Sequence, residues 1–120
     1  MRRGTVCTVI LSNDYGKPRP AIVIQSDLFS EHSSVTVLPV TTDLEPAPRL
    51  RVRIAPTPAN GLEVLSDVMI DKIQSLPPKR VGKVIGRMDD ETMRDLTLAL
   101  ALFLGMDGIS STPPKKKLTR

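Results

Sequence analysis

The sequence predicts a mainly β domain, a small and strongly bent antiparallel sheet or barrel with one C-terminal helix packed on it. Three observations lead there. Short runs rich in Val, Ile and Thr recur between Arg3 and Arg87, each bounded by Gly, Pro, Asn or Asp. One of them, Arg49 to Ile54, alternates strictly between arginine and aliphatic residues, which is the period of a half-buried strand. From Asp89 to Gly105 the apolar spacing changes to that of a helix.

Taken in order, Arg3 to Leu11 is rich in β-branched residues and reads as the first strand, and Ser12 to Gly16 is a turn cluster. Gly16-Lys17-Pro18-Arg19-Pro20 reads as a rigid loop, because each proline sets its own φ and restricts the residue before it. Arg19 is held extended there, with little backbone freedom left to lose when it meets an anion. Ala21 to Gln25 is apolar on both faces and predicts a central strand covered on each side. Ser26 and Asp27 cap a short helical turn. Val35 to Val40 is the third strand, running into Thr41-Thr42-Asp43 and a proline-bearing linker to Pro48. In the alternating strand Leu50, Val52 and Ile54 face one way and Arg49, Arg51 and Arg53 the other. Asn60-Gly61 is a hairpin-type signal. Ser66 to Gln74 reads as one strand carrying Asp71, Pro77-Pro78 breaks it, and Val81 to Arg87 is the last strand.

Asp89 is placed to cap the helix, with Asp90 and Glu91 in the first turn where the dipole favours negative charge. Met93, Leu96, Leu100 and Phe103 share one face, and Gly105 offers the stop. Leu98 and Leu102 extend the apolar surface sideways, which predicts a contact with a second subunit. Residues 1–105 thus form one domain, and 106–120, with Pro113-Pro114 and Lys115 to Lys117, read as a disordered basic tail.

Composition narrows the function. Hydrophobic residues make up 40% of the 120 and charged residues 25%, a globular balance. With no Trp, one Tyr and two Phe, the core is aliphatic, and stacking of bases on aromatic platforms is not a main mode of binding. The net charge of +4 favours a polyanionic partner. A single cysteine, Cys7, allows neither an internal disulfide nor a Cys/His metal quartet. No stretch has the length of a signal peptide's apolar region or of a membrane span, so a cytoplasmic protein without membrane, metal or cofactor is expected. No P-loop, dinucleotide fingerprint or repeat is present.

His32 follows the short helical turn and reads as a surface residue, and Cys7 as a small buried filler. The residues left for chemistry are Arg19, Thr41, Thr42 and Asp71, with Lys17, Arg49, Arg51 and Arg53 as further cations. Cleaving RNA without metal requires one group to take the 2′-hydroxyl proton and another to protonate the leaving 5′-oxygen. Positive charge or donors must also meet the charge that builds on phosphorus. Arg19 supplies a bidentate fork, Thr41 a donor at a strand end, and Asp71 a carboxylate to act on the proton or orient Arg19. Each also has a plain structural reading: turn-capping threonines, a solvated carboxylate, a wet arginine face.

Together the segments GKPRPAIVIQSD (16–27), VTVLPVTTD (35–43), DVMIDKIQ (67–74) and GRMDDETMRDLTLALALFLG (86–105) resemble the MazF/PemK family of toxin endoribonucleases, in order from Arg3 to Gly105. The resemblance implies an SH3-like barrel with a C-terminal helix, acting as a homodimer. It implies metal-independent cleavage of single-stranded RNA at short motifs by 2′-hydroxyl attack, and neutralisation by a cognate antitoxin with an acidic, flexible segment. Arg19 and Thr41 match the family's active-site arginine and threonine, and Asp71 an aspartate of the PemK branch. The chain departs from the pattern in three places. Its first loop, Ser12 to Pro18, is short, with Asp14, Tyr15 and Lys17 as substitutes for the usual residues; Met69 and Gln74 stand where arginines are common. Two other classes of function fit parts of the chain. One is a non-nucleolytic toxin that binds and poisons a protein such as a DNA topoisomerase. The other is an RNA-binding module using the face of Arg49, Arg51 and Arg53.

Overall fold

The structure, a computed structural model, describes residues 1–11, 16–106 and 108; Asp14, Tyr15 and nearly all of the expected tail lie outside them. Seven strands run through the chain: β1 (Thr5–Ile10), β2 (Pro18–Val23), β3 (Val35–Thr41), β4 (Arg51–Ile54), β5 (Ser66–Met69), β6 (Gln74–Leu76) and β7 (Val81–Arg87). Helix α1 (Asp90–Phe103) follows. Among the described residues every strand pairing is antiparallel, in the order β4-β5-β3-β2-β1-β7, and β6 joins the first half of β3 while β5 joins its end. The mainly β class with a terminal helix is as expected. The sheet is open rather than closed by hydrogen bonds, and the connection 55–65 crosses between its two ends.

That crossing depends on glycine. A Cβ on Gly86 would stand 2.3 Å from the carbonyl carbon of Asn60, and one on Gly61, which has φ +71°, 2.0 Å from the oxygen of Ile85. Backbone therefore lies directly on backbone, and the Arg87 N–H donates to the Ala59 oxygen at 2.8 Å. The buried Asn60 side chain accepts from the N–H groups of Thr57 and Leu62 and donates to the Ala55 oxygen, all at 3.0 Å. Asn60-Gly61 thus shapes a turn within a longer connection instead of a tight hairpin.

β2 is central and covered on both faces, because its successive side chains enter different apolar clusters. Ile22 joins Val6, Leu38, Val68, Ile70, Met93 and Leu96; Ala21 and Val23 join Cys7, Val9, Val37 and Leu76. The prolines 18 and 20 lie inside β2 rather than in a loop before it. They pair with Ile10 and Thr8 of β1, whereas the ladder with β3 begins only at Ala21, so over this stretch one side of β2 is an edge that tolerates a missing N–H.

The strand expected over Ser66 to Gln74 is broken. Ile70 is fully buried and its N–H donates to the Leu50 oxygen at 2.9 Å, and the chain makes a 3-10 turn over Ile70–Lys72 before β6. Asp71 consequently sits on that turn, not on a strand. Another single turn, Asp27–Phe29, is capped by Ser26 as expected.

Asp89 caps α1, accepting from the Thr92 N–H at 3.0 Å. At the other end Met106 donates to Ala101 at 2.7 Å and Gly105, at φ +72°, to Leu102 at 3.2 Å, which is a Schellman stop. Met93 and Leu96 are buried and Leu100 packs partly against them. Phe103, expected on that face, is 45% exposed, because the last turn runs past the core. Leu98 and Leu102 are exposed. Among the described residues no helix is long and apolar enough to cross a membrane.

Candidate active site

The ladder between β2 and β3 pairs Val23 with Val37, Ile22 with Leu38 and Ala21 with Pro39. Side chains on one face recur every second residue, so Arg19 and Thr41 occupy the next place on the face of Ala21 and Pro39. β1 holds Arg19 from its other side, opposite Val9. Both side chains line an open cleft of about 270 Å³. Its apolar wall comes from Leu11, Pro39, Val40 and Met69, and its remaining polar groups are Lys72 and Gln74. Gln74 reaches this face through its pairing with Val37.

Arg19 is half-buried, lies between two prolines in the chain and lines the cleft. Thr41 does what the plain reading says: its hydroxyl oxygen accepts from the Asp43 N–H at 3.1 Å. Accepting that bond leaves the hydroxyl proton available to donate, so capping the turn and binding a phosphate oxygen are compatible. No carboxylate lines the cleft among the described residues, while Arg19 and Lys72 both do, so its potential is positive. Arg19 also borders a second open pocket of about 380 Å³, where Thr42 and Lys83 lie.

The other predicted residues are placed differently. Asp71 is half-buried and is not among the residues lining the cleft; it is its neighbour Lys72 that reaches it. Lys17 is exposed just before β2 and lines neither space. Arg49 is exposed in the turn ahead of β4. Arg51 and Arg53 do alternate with core residues, but both are turned inward on Asp67, the aspartate paired with Thr41 across β3 and β5. Asp67 is 1% exposed; it accepts from Arg53 Nε at 3.0 Å and from the Glu45 N–H at 3.0 Å, with Arg51 Nη1 at 3.5 Å. The hydrogen bond from the Arg53 guanidinium, with help from the Glu45 N–H, holds the Asp67 carboxyl below the usual carboxylate range, against the opposing effect of burial. Arg51 also donates to the Asp43 oxygen at 2.8 Å and to Glu45 at 3.1 Å. Arg51 and Arg53 thus hold the linker 43–48 on the sheet, Arg53 with its side chain half exposed.

Sequence reasoning passed over Asp67 and Lys72. The register that sets Asp67 opposite Thr41 and Arg53 signals the first, though it is visible only once the strands are paired. The second needs the turn at Ile70. His32 is exposed, and Cys7 is buried in the second apolar cluster, where burial pushes its thiol up. Among the described residues no three His, Cys, Asp or Glu side chains gather to hold a metal ion.

Residues 2–104 match the family described as PemK-like, MazF-like toxin of type II toxin-antitoxin system. A probable endoribonuclease MazF of Mycolicibacterium smegmatis is 45% identical over 109 residues, 90% of this chain and 100% of that protein. Endoribonuclease MazF9 of Mycobacterium tuberculosis is 28% identical over 116 residues, 88% of this chain and 98% of that one. Among solved structures, the Mycobacterium tuberculosis toxin MazF-mt6 superposes with a TM-score of 0.73 at 25% identity, covering 86% of this chain and 98% of its own.

Proposed function

The chain belongs to the PemK-like, MazF-like family of type II toxins, and from that premise we propose that it is an endoribonuclease cutting single-stranded mRNA at short sequence motifs without a metal ion. The observation that carries the reading is the convergence of Arg19 and Thr41 on one open cleft. A ribose 2′-oxygen attacks the adjacent phosphorus there. The Arg19 fork meets the charge that develops on the non-bridging oxygens, and the Thr41 hydroxyl donates to one of them and fixes the phosphate for in-line displacement. The product is a 2′,3′-cyclic phosphate and a 5′-hydroxyl end.

Asp71, on its turn beside the cleft, has the role of a neighbouring acid rather than of a group on the phosphate. The exposed Lys17, Thr42, Arg49 and Arg53 serve the RNA backbone on either side. The Mycolicibacterium smegmatis and Mycobacterium tuberculosis relatives described above carry the names probable endoribonuclease and endoribonuclease, which favours strand scission over poisoning of a protein target. Within this reading the toxin acts in the cytoplasm as a homodimer through the exposed Leu98 and Leu102. Its cognate antitoxin covers the positive cleft with an acidic, flexible segment.

The test is incubation of purified protein with RNA in the presence of EDTA. Wild type yields fragments with 2′,3′-cyclic phosphate ends, and Arg19→Ala does not. An inert wild type, or equal cleavage by Arg19→Ala, overturns the reading.

A further inference from the structure

Among the described residues the cleft has four polar side chains, and they differ in what they can give to a reacting phosphodiester. A guanidinium holds its protons too tightly to release one, so Arg19 contributes charge and hydrogen bonds only. The Thr41 hydroxyl and the Gln74 amide donate hydrogen bonds but are far too weak as acids to surrender a proton. Lys72 carries an ammonium, the one cleft-lining group among the described residues with a transferable proton.

Its backbone is set from both sides. Two residues earlier Ile70 is sealed in the core and bound to the Leu50 oxygen, and two residues later Gln74 is paired with Val37 on β3. The Gln74 amide also donates back to the Lys72 oxygen at 3.2 Å. The exposed side chain therefore starts from a fixed point on the rim of the cleft that Arg19 and Thr41 also line.

We propose that Lys72 is a catalytic residue, the general acid that protonates the leaving 5′-oxygen; this rests on the nuclease reading above. The 2′-oxygen forms its bond to phosphorus and its proton passes to water in the open cleft. The bond between phosphorus and the 5′-oxygen breaks, its electron pair stays on that oxygen, and the oxygen takes a proton from Lys72 Nζ. The neutral amine then regains a proton from solvent, so no proton is gained or lost overall. Delivery of the proton by a positioned side chain accounts for about 10²-fold or more in rate.

The test uses the full chain and two versions of an oligonucleotide spanning a site that the wild type cuts, one with a normal 5′-oxygen and one with sulfur in that bridging position. A thiolate leaves without needing a proton. Lys72→Gln and Lys72→Arg are both expected to cleave the oxygen substrate about 10²-fold more slowly than wild type under single-turnover conditions. Both are expected to recover most of that loss on the sulfur substrate, with affinity for uncleavable 2′-O-methyl RNA changed less than a few-fold for Lys72→Arg. Undiminished cleavage of the oxygen substrate by either variant overturns the assignment, as does an equal deficit on both substrates. A wild type that cuts no RNA overturns the nuclease reading itself, and this assignment with it.

Discussion

Arg19 and Thr41 occupy neighbouring strands one same-face step beyond the pair Ala21 and Pro39, and both open onto the same cleft. The first is a half-buried cation and the second a hydroxyl that already accepts from the Asp43 N–H and is oriented by it. Arg19→Ala is expected to lower RNA cleavage by about 10²-fold or more, and Arg19→Lys to recover little, since a single ammonium does not reproduce the fork. Thr41→Ser keeps the donor and stays near wild type, whereas Thr41→Val falls by at least roughly tenfold. Initial rates on a mapped RNA measure all four.

Asp67 is the ion-pairing centre of β4 and β5. Asp67→Ala leaves two guanidinium groups, one of them only 15% exposed, without their acceptor, and releases the Glu45 N–H as well. We expect a loss of about 2–3 kcal/mol in urea unfolding.

The same carboxylate sets a pH dependence. Its folded-state value lies below the unfolded one, so its contribution to stability is complete above roughly pH 4. It is lost as pH falls through the folded value, when the proton destroys the acceptor for Arg53. Wild type should therefore lose stability on acidification below about pH 4, and Asp67→Asn should show a shallower slope over the same range. Unfolding midpoints taken at intervals from neutral to acid pH measure the difference.

Gly86→Ala places a methyl group 2.3 Å from the backbone of Asn60, where no flexible side chain can yield. The connection 55–65 must lift from β7 to admit it, and we expect a destabilisation of about 2–3 kcal/mol and a lower Tm in thermal unfolding. An alanine at Gly105, with nothing within 4 Å, meets only the cost of its positive φ, and should fall less.

Leu98 and Leu102 are 64% and 51% exposed on α1. With Leu102→Glu, light scattering is expected to show the mass of one chain where wild type shows two; a dimeric variant would remove this helix from the subunit contact.

What was legible in the sequence is what short-range chemistry decides. Ser26, Asp89 and Gly105 punctuate helices through bonds to residues two or three positions away, and each does so where its type predicted. The apolar β2 could only be a covered strand. The break at Ile70 was not legible, because Ser66 to Gln74 is strand-like throughout and what bends it is the pull of a core assembled from distant residues. The arginine face misleads for the same reason: an alternating pattern shows that three arginines point away from the core, but not that Asp67, fourteen residues on from Arg53, waits to receive two of them. Of the site, Arg19 and Thr41 were visible as motifs. Lys72 was not, since only the bend makes it, rather than Asp71, the residue that reaches the cleft.

Met69 stands on the cleft wall between Val68 and Ile70, both of which are wholly enclosed, and Gln74 holds the other end of that wall. The core draws on the enclosed neighbours, whereas the side chains of Met69 and Gln74 are only half-buried. On the nuclease reading proposed above, exchanging these two side chains would alter which bases the cleft accepts while Arg19 and Thr41 keep their places on β2 and β3.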